Sequence, residues 1–362
     1  MFRDVDKLLL YAIAAIFLGG LFILASASMV IAKENLGSPF SYILRQLLLG
    51  GGVGGVLFLA TISIPYRIYK KLALPGMIFS FLMLAVLFIP ELSYSWGGAR
   101  RWLVFGPISF QPSEFLKLSF VIYLASWLDA RRQEVSSISY GMIPFAIMLS
   151  IVGMFLVMQP DLGTLGVITL TAVLLYFLGG GKKSQIITLG LLGLAMLYVL
   201  VQAAPYRLSR ITVFLNPGVD PQGIGYQITQ AFIAIGSGGF FGQGFGKSLQ
   251  KYNYLPEPMG DSIFAVFAEE SGFLGATVLV LIFGFIFWRG IMIAKGAPNN
   301  FGRFLAAGIS ISIMTQAFIN MAAISGLLPL TGIPLPFVSY GGTSLAMTLT
   351  SVGILLNISR ST

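Results

Sequence analysis

Apolar segments long enough to cross a lipid bilayer recur along the whole chain, and they limit its fold more than any other feature. Hydrophobic residues make up 56% of the 362 residues and charged residues only 10%, too apolar for an ordinary soluble domain. A run of about 20 apolar residues can span the hydrocarbon core as an α-helix, which satisfies its own backbone polar groups there. The sequence therefore predicts an all-α polytopic membrane protein, with one transmembrane domain over residues 1–362.

Ten spans are predicted, and a long loop separates the seventh from the eighth. The first run is too long for the core of a signal peptide, so we expect it to be retained as a span. The spans are predicted at 8–32, 46–64, 72–90, 111–128, 140–159, 162–180, 185–204, 262–288, 302–325 and 337–358. The loop, at about 205–261, is long enough to indicate a functional segment. Its stretch YQITQAFIAIGSGGFFGQG predicts a short amphipathic helix followed by glycine turns.

The distribution of basic residues predicts the orientation of the chain in the membrane. Four short connections, at 66–71, 129–134, 179–185 and 288–303, together with the two termini, carry more than half of the lysines and arginines. The positive-inside rule places these connections and both termini in the cytoplasm. The net charge of +9 is thereby explained without nucleic-acid binding, and the long loop is expected on the extracytoplasmic side.

The absence of two residue types narrows the possible chemistry. The chain has no cysteine and no histidine. Disulfides, thiolate catalysis and cysteine-bound metal clusters are therefore excluded. Any proton transfer must use carboxylates, lysine or tyrosine.

Ionisable residues gather at the predicted outer ends of the helices, where they are expensive to keep and usually functional. Arg100 and Arg101 have guanidinium groups suited to phosphate. Asp161, Glu257 and Asp261 lie on the same predicted side, and carboxylates suit a general base or a cation site. Together these groups are typical of a site for a phosphorylated, lipid-borne substrate at the outer leaflet.

Several of these residues also have a purely structural interpretation. Glu114 and Lys117 are three residues apart, so they share a helix face and could form only a buried ion pair. Glu269 and Glu270 lie two turns into the eighth span and could serve packing or hydrogen bonding. The arginine pair could instead anchor anionic lipid headgroups.

Five motifs in a fixed order resemble those of a known protein family. GARRWL, QPSEFLKL, QPDLGT, YLPEPMGDSIFAVFAEE and LPLTGIPLPFVSYGGTSL, distributed over ten spans, are similar to the SEDS proteins (shape, elongation, division and sporulation), and slightly more to FtsW than to RodA. The resemblance covers essentially the whole chain. One departure is that many members have His-Thr-Asp before the eighth span, where this chain has Met259, Gly260 and Asp261.

The resemblance implies a peptidoglycan glycosyltransferase of the cytoplasmic membrane, whose active site is extracytoplasmic. Its substrate would be lipid II, which it polymerises into glycan strands. A divalent cation, Mg²⁺ or Mn²⁺, is implied as cofactor. A class B penicillin-binding protein, which is a transpeptidase, and other divisome or elongasome proteins are implied as partners.

On this hypothesis Asp261 is the catalytic residue, as the general base or as a metal-associated carboxylate. An inverting displacement needs one base and a stabilised leaving group. Arg100, Arg101 and the cation would neutralise the departing pyrophosphate. The predicted substrate-binding residues are Arg100, Arg101, Gln111, Ser113, Glu114, Lys117, Gln159, Asp161, Glu257, Ser339 and Tyr340.

A transporter, such as a lipid II flippase, is the alternative from another class of function. Alternating access usually rests on repeated halves and broken helices around a site at the membrane midplane. No internal repeat is visible in the sequence, and its polar groups crowd one face. A third possibility is a non-catalytic scaffold within a cell-wall assembly.

Overall fold

The structure is a computed structural model that describes residues 5–96, 99–106 and 108–361. Arg3, one of the basic residues used to predict the orientation, lies outside the described residues. The helices are α1 (Lys7–Leu36), α2 (Ser41–Ser63), α3 (Arg67–Val86), α4 (Pro112–Ala130), α5 (Ile138–Met158), α6 (Leu162–Leu178), α7 (Lys183–Gln202), α8 (Pro205–Leu215), α9 (Ile224–Gly238), α10 (Ile263–Gly296), α11 (Asn300–Ile324) and α12 (Gly342–Ser359).

The predicted fold class is confirmed. Within the described ranges, eight helices are long and apolar enough to cross a membrane: α1, α2, α3, α5, α7, α10, α11 and α12. The other two predicted spans correspond to α6, an apolar helix of 17 residues, and to α4, which has 19 residues. Asp6 begins the bundle as a helix cap, because its side chain accepts a hydrogen bond from the backbone N–H of Leu9 at 2.8 Å.

Helices α11 and α12 form the centre of the bundle. In each, 83% of the most apolar window is buried inside the protein, compared with 6% for α7. Helix α11 packs against α10, α4 and α6, and α12 packs against α2. A helix that is apolar on all sides is accommodated either in a protein core or in lipid. Helices α11 and α12 lie in the protein core, whereas most of the surface of α7 is left for lipid.

The connections at one end of the bundle are more structured than the sequence indicated. Three strands, β1 (Ser93–Trp96), β2 (Ala99–Phe105) and β3 (Ile108–Phe110), form an antiparallel sheet in the order β1–β2–β3. The predicted long loop contains α8, a short 3₁₀ turn and α9, so the amphipathic helix is confirmed. We call this end, with the sheet, residues 203–262 and residues 325–341, the loop end.

Helix α10 is broken, whereas the sequence predicted one continuous span over 262–288. Gly272 has a φ of +66° and ψ of −168°, and a Cβ there would lie 2.3 Å from the backbone nitrogen of Gly242. Residues 239–244 fill the break. The N–H of Phe273 donates to the carbonyl of Gly239 at 2.9 Å, and the N–H of Gln243 donates to the carbonyl of Glu269 at 3.0 Å. The loop thus satisfies backbone groups that the break would leave unpaired.

Candidate functional site

Asp261 lies at the loop end, two residues before α10 begins. Its side chain is partly buried, and its Oδ1 accepts hydrogen bonds from the Gln227 amide at 3.3 Å and the Ser262 hydroxyl at 3.5 Å. Its backbone carbonyl accepts from the side-chain amide of Asn320 at 2.9 Å. The backbone of Asp261 is therefore firmly held, while its carboxylate makes only long hydrogen bonds and keeps acceptor capacity.

The segment before α12 holds the chain around Asp261. The Ser339 hydroxyl donates to the carbonyl of Gly260 at 2.7 Å, and the backbone N–H of Tyr340 donates to the carbonyl of Met259 at 2.8 Å. Ser339 is itself buried, and its carbonyl accepts from the side chain of Gln46 at 3.2 Å. The contacts of Ser339 and Tyr340 therefore position the segment that carries Asp261.

The surroundings of Asp261 favour its protonated form. Burial, followed by the nearby Glu257 carboxylate, raises the pKa of Asp261 from 3.8 to about 6. The Arg210 guanidinium, a backbone hydrogen bond and the Ser262 hydroxyl act in the opposite direction. A carboxyl group with a pKa near neutral pH can accept a proton and release it again, as a general base must.

Arg210, on α8, is a functional candidate that the sequence did not indicate. It donates to the carbonyl of Leu330 at 3.1 Å, two residues before Gly332, where an added Cβ would lie 3.9 Å from Asp261 Oδ2. Burial and the Arg101 guanidinium lower its pKa, whereas Asp261 and Asp161 raise it. Arg210 thus lies within electrostatic range of both aspartates and of Arg101.

Asp161 is buried at the start of α6. Its Oδ1 caps that helix by accepting from the N–H of Thr164 at 3.2 Å, and its Oδ2 accepts from the Ser113 hydroxyl at 3.2 Å. The Gln111 side chain donates to the same hydroxyl at 3.1 Å. The structure therefore brings Gln111, Ser113 and Asp161 together, as one part of the predicted site.

Other predicted binding residues lie further from this group. Arg101 donates to the carbonyl of Pro160, beside Asp161, whereas Arg100 is exposed and precedes it on β2. The pairing of β1 with β2 is irregular here, because Ser95 pairs with Arg100 and Tyr94 with Trp102, so Arg101 is the extra residue of a β-bulge. Gln159 is buried and donates to the carbonyl of Leu84 on α3 at 3.4 Å.

Glu114 and Lys117 form a buried ion pair of 2.9 Å on α4. The Lys117 ammonium also donates to the side chain of Gln316 on α11, whose amide donates to the carbonyl of Pro334 at 2.9 Å. The pair lines a cavity of about 30 Å³ between α4, α11 and α12, with room for about two water molecules. It therefore belongs to the bundle interior, connected to the Asp261 region through residues 330–336.

Glu269 and Glu270 are buried and bind the long loop. Glu269 accepts from the Ser248 hydroxyl and from the backbone N–H of Leu249 at 2.9 Å. Glu270 forms an ion pair of 2.8 Å with the buried Lys251, and its Oε1 also accepts from the Ser26 hydroxyl of α1. Their hydrogen-bonding interpretation is therefore confirmed. We call Ser26, Ser248, Lys251, Glu269 and Glu270 the carboxylate clamp.

The described residues contain no group of three His, Cys, Asp or Glu side chains arranged to hold a metal. Asp261 and Glu257 do lie close enough for the charge of one to shift the pKa of the other. Mg²⁺ is commonly held by one or two carboxylates together with substrate phosphates. The donor set therefore fits a cation site that substrate completes, with Asp261 and Glu257 as the protein ligands.

Three of the polar groups at this site had some signal in the sequence. Asn320 and Gln316 are amide side chains four residues apart within an apolar helix, where polar residues are expensive. Gln227 lies within the stretch predicted as an amphipathic helix. Arg210 is one of two arginines, with Arg207, spaced three apart in the long loop. Their convergence on Asp261 depends on how α8, α9 and α11 pack.

The chain is similar to known proteins over nearly its whole length. Residues 6–362 match the model of the FtsW, RodA and SpoVE family, described as a cell cycle protein. The chain is 42% identical over 357 residues to stage V sporulation protein E of Bacillus subtilis, covering 98% of this chain and 97% of that protein. It is 40% identical over 357 residues to the probable peptidoglycan glycosyltransferase FtsW of Geobacter sulfurreducens, covering 98% and 95%.

Two solved structures share the fold over nearly the whole chain. A chain from a study of how a peptidoglycan synthase complex coordinates polymerization and crosslinking superimposes with a TM-score of 0.81 at 28% identity, covering 99% of this chain and 98% of that one. The rod shape determining protein RodA of Thermus thermophilus superimposes with a TM-score of 0.73 at 27% identity, also covering 99% and 98%. These matches confirm the resemblance drawn from the five motifs.

Proposed function

Because the chain belongs to the FtsW, RodA and SpoVE family, we propose that it is a peptidoglycan glycosyltransferase that polymerises lipid II. Similar proteins are named as probable peptidoglycan glycosyltransferases, and a similar solved chain belongs to a peptidoglycan synthase complex. The observation that carries the proposal is the position of Asp261. Its carboxylate makes only two long hydrogen bonds. It lies beside segment 330–333, which the guanidinium of Arg210 also contacts.

The orientation follows from the basic connections. Residues 64–71, 130–137, 179–183 and 297–303 lie at the end of the bundle opposite the loop end, where Lys70 contacts Asp129 and Asn299 contacts Tyr66. With that end in the cytoplasm, both termini are cytoplasmic and Asp261 faces the outer side of the cytoplasmic membrane. An aspartate there can reach the headgroup of a lipid-linked sugar without entering hydrocarbon.

The reaction is one inverting displacement. The 4-hydroxyl oxygen of the acceptor sugar attacks C1 of the donor sugar, the C1–O bond to the pyrophosphate breaks, and the α-linked donor becomes a β-linked product. One base is required and no covalent intermediate. Asp261 takes the proton of the attacking hydroxyl, since its pKa lies near 6 and its carboxylate is only weakly hydrogen-bonded.

Positive charge is needed where the pyrophosphate departs. Arg210 and Arg101 both lie near Asp161, so their guanidinium groups can neutralise the developing charge while Asp161 holds α6 and Ser113 in place. If Asp261 instead holds a divalent cation together with Glu257, that cation would add positive charge to the same phosphates. Burial of Arg210 strengthens its interaction with an anion, because water screens it less.

The proposed partner is a class B penicillin-binding protein, within the divisome or the elongasome. A synthase that polymerises glycan needs a transpeptidase to crosslink the strands. The similar chain from a peptidoglycan synthase complex supports this proposal.

The decisive experiment supplies lipid II to the purified protein on the outer side of proteoliposomes. We expect the wild-type protein to make glycan strands with Mg²⁺ or Mn²⁺, both alone and, in a second arm, with the partner added. Asp261→Asn should make about 10²- to 10⁴-fold less glycan. A flippase would leave outer lipid II unpolymerised, and a scaffold would be inert in every arm without the partner. Glycan synthesis by Asp261→Asn at the wild-type rate would remove Asp261 from the mechanism.

A further inference from the structure

We propose that Lys251 is a positioning residue for Asp261, acting through its buried ion pair with Glu270 in the carboxylate clamp. The inference rests on the proposed function, because Asp261 is the group that it positions. Lys251 lies ten residues before Asp261 and touches neither Asp261 nor Arg210 in the described structure. Its effect must therefore be transmitted by the chain between them.

The first step is the burial of the lysine. Only 2% of the side chain of Lys251 is exposed, which is unusual for a lysine in a loop. Its ammonium donates to Glu270 Oε1 at 2.8 Å and to the Ser26 hydroxyl at 2.8 Å. The ion pair thus joins three separate parts of the chain: α1, the long loop and the first half of α10.

The second step is the ring that this pair closes. From Lys251 the chain runs through Asp261 to Glu270, and the pair joins the two ends. One side of the ring is the helical segment 263–271, a rigid connection. The other side contains Pro256 and Pro258, which restrict the backbone. A short ring of this kind leaves Asp261 few alternative positions.

The third step is the anchoring inside the ring. The side chain of Leu255 is 2% exposed, and its N–H donates to the carbonyl of Gln250 at 2.8 Å. The carbonyl of Glu257 accepts from the N–H groups of Gly260 at 3.0 Å and Ser262 at 3.3 Å. The turn that carries Asp261 is therefore continuous with the part of the loop that Lys251 holds.

Among the described residues, Lys251 supplies the positive charge that contacts the buried Glu270 carboxylate. Ser26 and Ser248 donate to Glu270 but carry no charge. Without the ammonium group, the buried carboxylate of Glu270 has no cation in contact with it, and exposure of the loop to water becomes the favourable response. We therefore expect residues 252–262 to loosen while the helices of the bundle keep their packing.

The test compares Lys251→Met with Lys247→Met in the full-length protein. Lys247 is an exposed lysine four residues earlier in the same loop, so it controls for loss of a positive charge. With lipid II as substrate, we expect Lys251→Met to lower kcat by about 10- to 100-fold, as small misplacements of a catalytic group do, with KM within about threefold of the wild type. Lys247→Met should leave both constants unchanged.

Hydrogen–deuterium exchange gives a second measurement that needs no substrate. Amides within 252–262 should exchange at least about tenfold faster in Lys251→Met, because the clamp no longer holds them, while α11 and α12 stay protected. Lys251→Arg keeps the charge and should recover part of kcat and of this protection. The exchange measurement tests the role of Lys251 even if the wild-type protein makes no glycan. Absence of glycan would contradict the proposed function but not the role of Lys251.

If Lys251→Met does not fold, Glu270→Gln breaks the same ion pair from the other side, and it is compared with Lys247→Met by the same kcat and exchange measurements. The inference is overturned if exchange within 252–262 is unchanged, or if kcat stays within threefold of the wild type despite faster exchange. It is also overturned if Lys247→Met lowers kcat equally. A general loss of protection across α11 and α12 would show a merely structural role and would likewise overturn it.

Discussion

The carboxylate of Asp261, just before α10, and those of Glu269 and Glu270, within α10, have opposite environments. Glu269 and Glu270 are buried within the carboxylate clamp, and backbone amides, hydroxyls and an ammonium group donate to their oxygens. Asp261 has two long hydrogen bonds and a like charge nearby. Carboxylates with their acceptor capacity filled stabilise structure, whereas one with spare capacity and a raised pKa is available for chemistry.

The largest expected effect is that of Asp261→Asn, which should lower activity without lowering stability. We expect Asp261→Asn to lower lipid II polymerisation by about 10²- to 10⁴-fold, the usual contribution of a general base. Its thermal unfolding should be unchanged or slightly higher, because burial disfavours the Asp261 charge that the substitution removes. Glycan assays and thermal unfolding of the same preparations check both expectations.

Glu269→Gln is the matched variant on the other side of the contrast. In either orientation the amide would turn its NH₂ group towards a backbone N–H, that of Leu249 or that of Gln250, so we expect a loss of about 1.5–3 kcal/mol in the free energy of unfolding. Its KM should stay near the wild-type value. Loss of activity without loss of stability in Glu269→Gln would erase the distinction between the two groups.

Arg210 allows the same kind of comparison for the positively charged side chains near Asp261. Arg210→Met should lower kcat by about 10- to 10³-fold, because a group that stabilises developing charge is lost. Arg210→Lys should recover only part of it, since an ammonium lacks the planar fork that binds two phosphate oxygens. Arg100→Met, on the exposed face of β2, is the control and should have a much smaller effect on kcat.

The pH profile reports the environment of Asp261 directly. As the pH falls below about 6, Asp261 becomes protonated and kcat/KM should decline. Glu257→Gln removes a neighbouring negative charge, which lowers the pKa of Asp261 and moves this acid limb to lower pH. Arg210→Met removes a positive charge and should move the limb to higher pH, so shifts in the same direction would contradict the assignment.

The smallest expected effect belongs to an ion pair outside the site. Lys70 and Asp129 form a pair of 2.6 Å at the basic end, and the Lys70 side chain is 45% exposed. Lys70→Ala should change the free energy of unfolding by no more than about 1 kcal/mol, because water screens the pair. A larger loss measured by thermal unfolding would show that burial is not what separates the clamp from surface pairs.

The sequence by itself determined the membrane fold, the ten-span order and the placement of Asp261 before α10. Hydropathy, and the positions of proline and glycine residues that end helices, are local properties of the sequence, so they can be recognised without the rest of the molecule. Five ordered motifs also indicated the family. The sheet at 93–110 was not predicted, because its residues lack a clear alternation of polar and apolar side chains.

Only the tertiary structure decided which polar groups meet. Ser26 and Glu270 are 244 residues apart in sequence but hydrogen-bonded, and Arg210 contacts the carbonyl of Leu330 across 120 residues. The same packing breaks α10 at Gly272 and brings Arg101 to the carbonyl of Pro160. The physical reason is that a polar group buried among apolar helices must find its partner wherever the packing brings one, and periodicity along the chain contains no record of that partner.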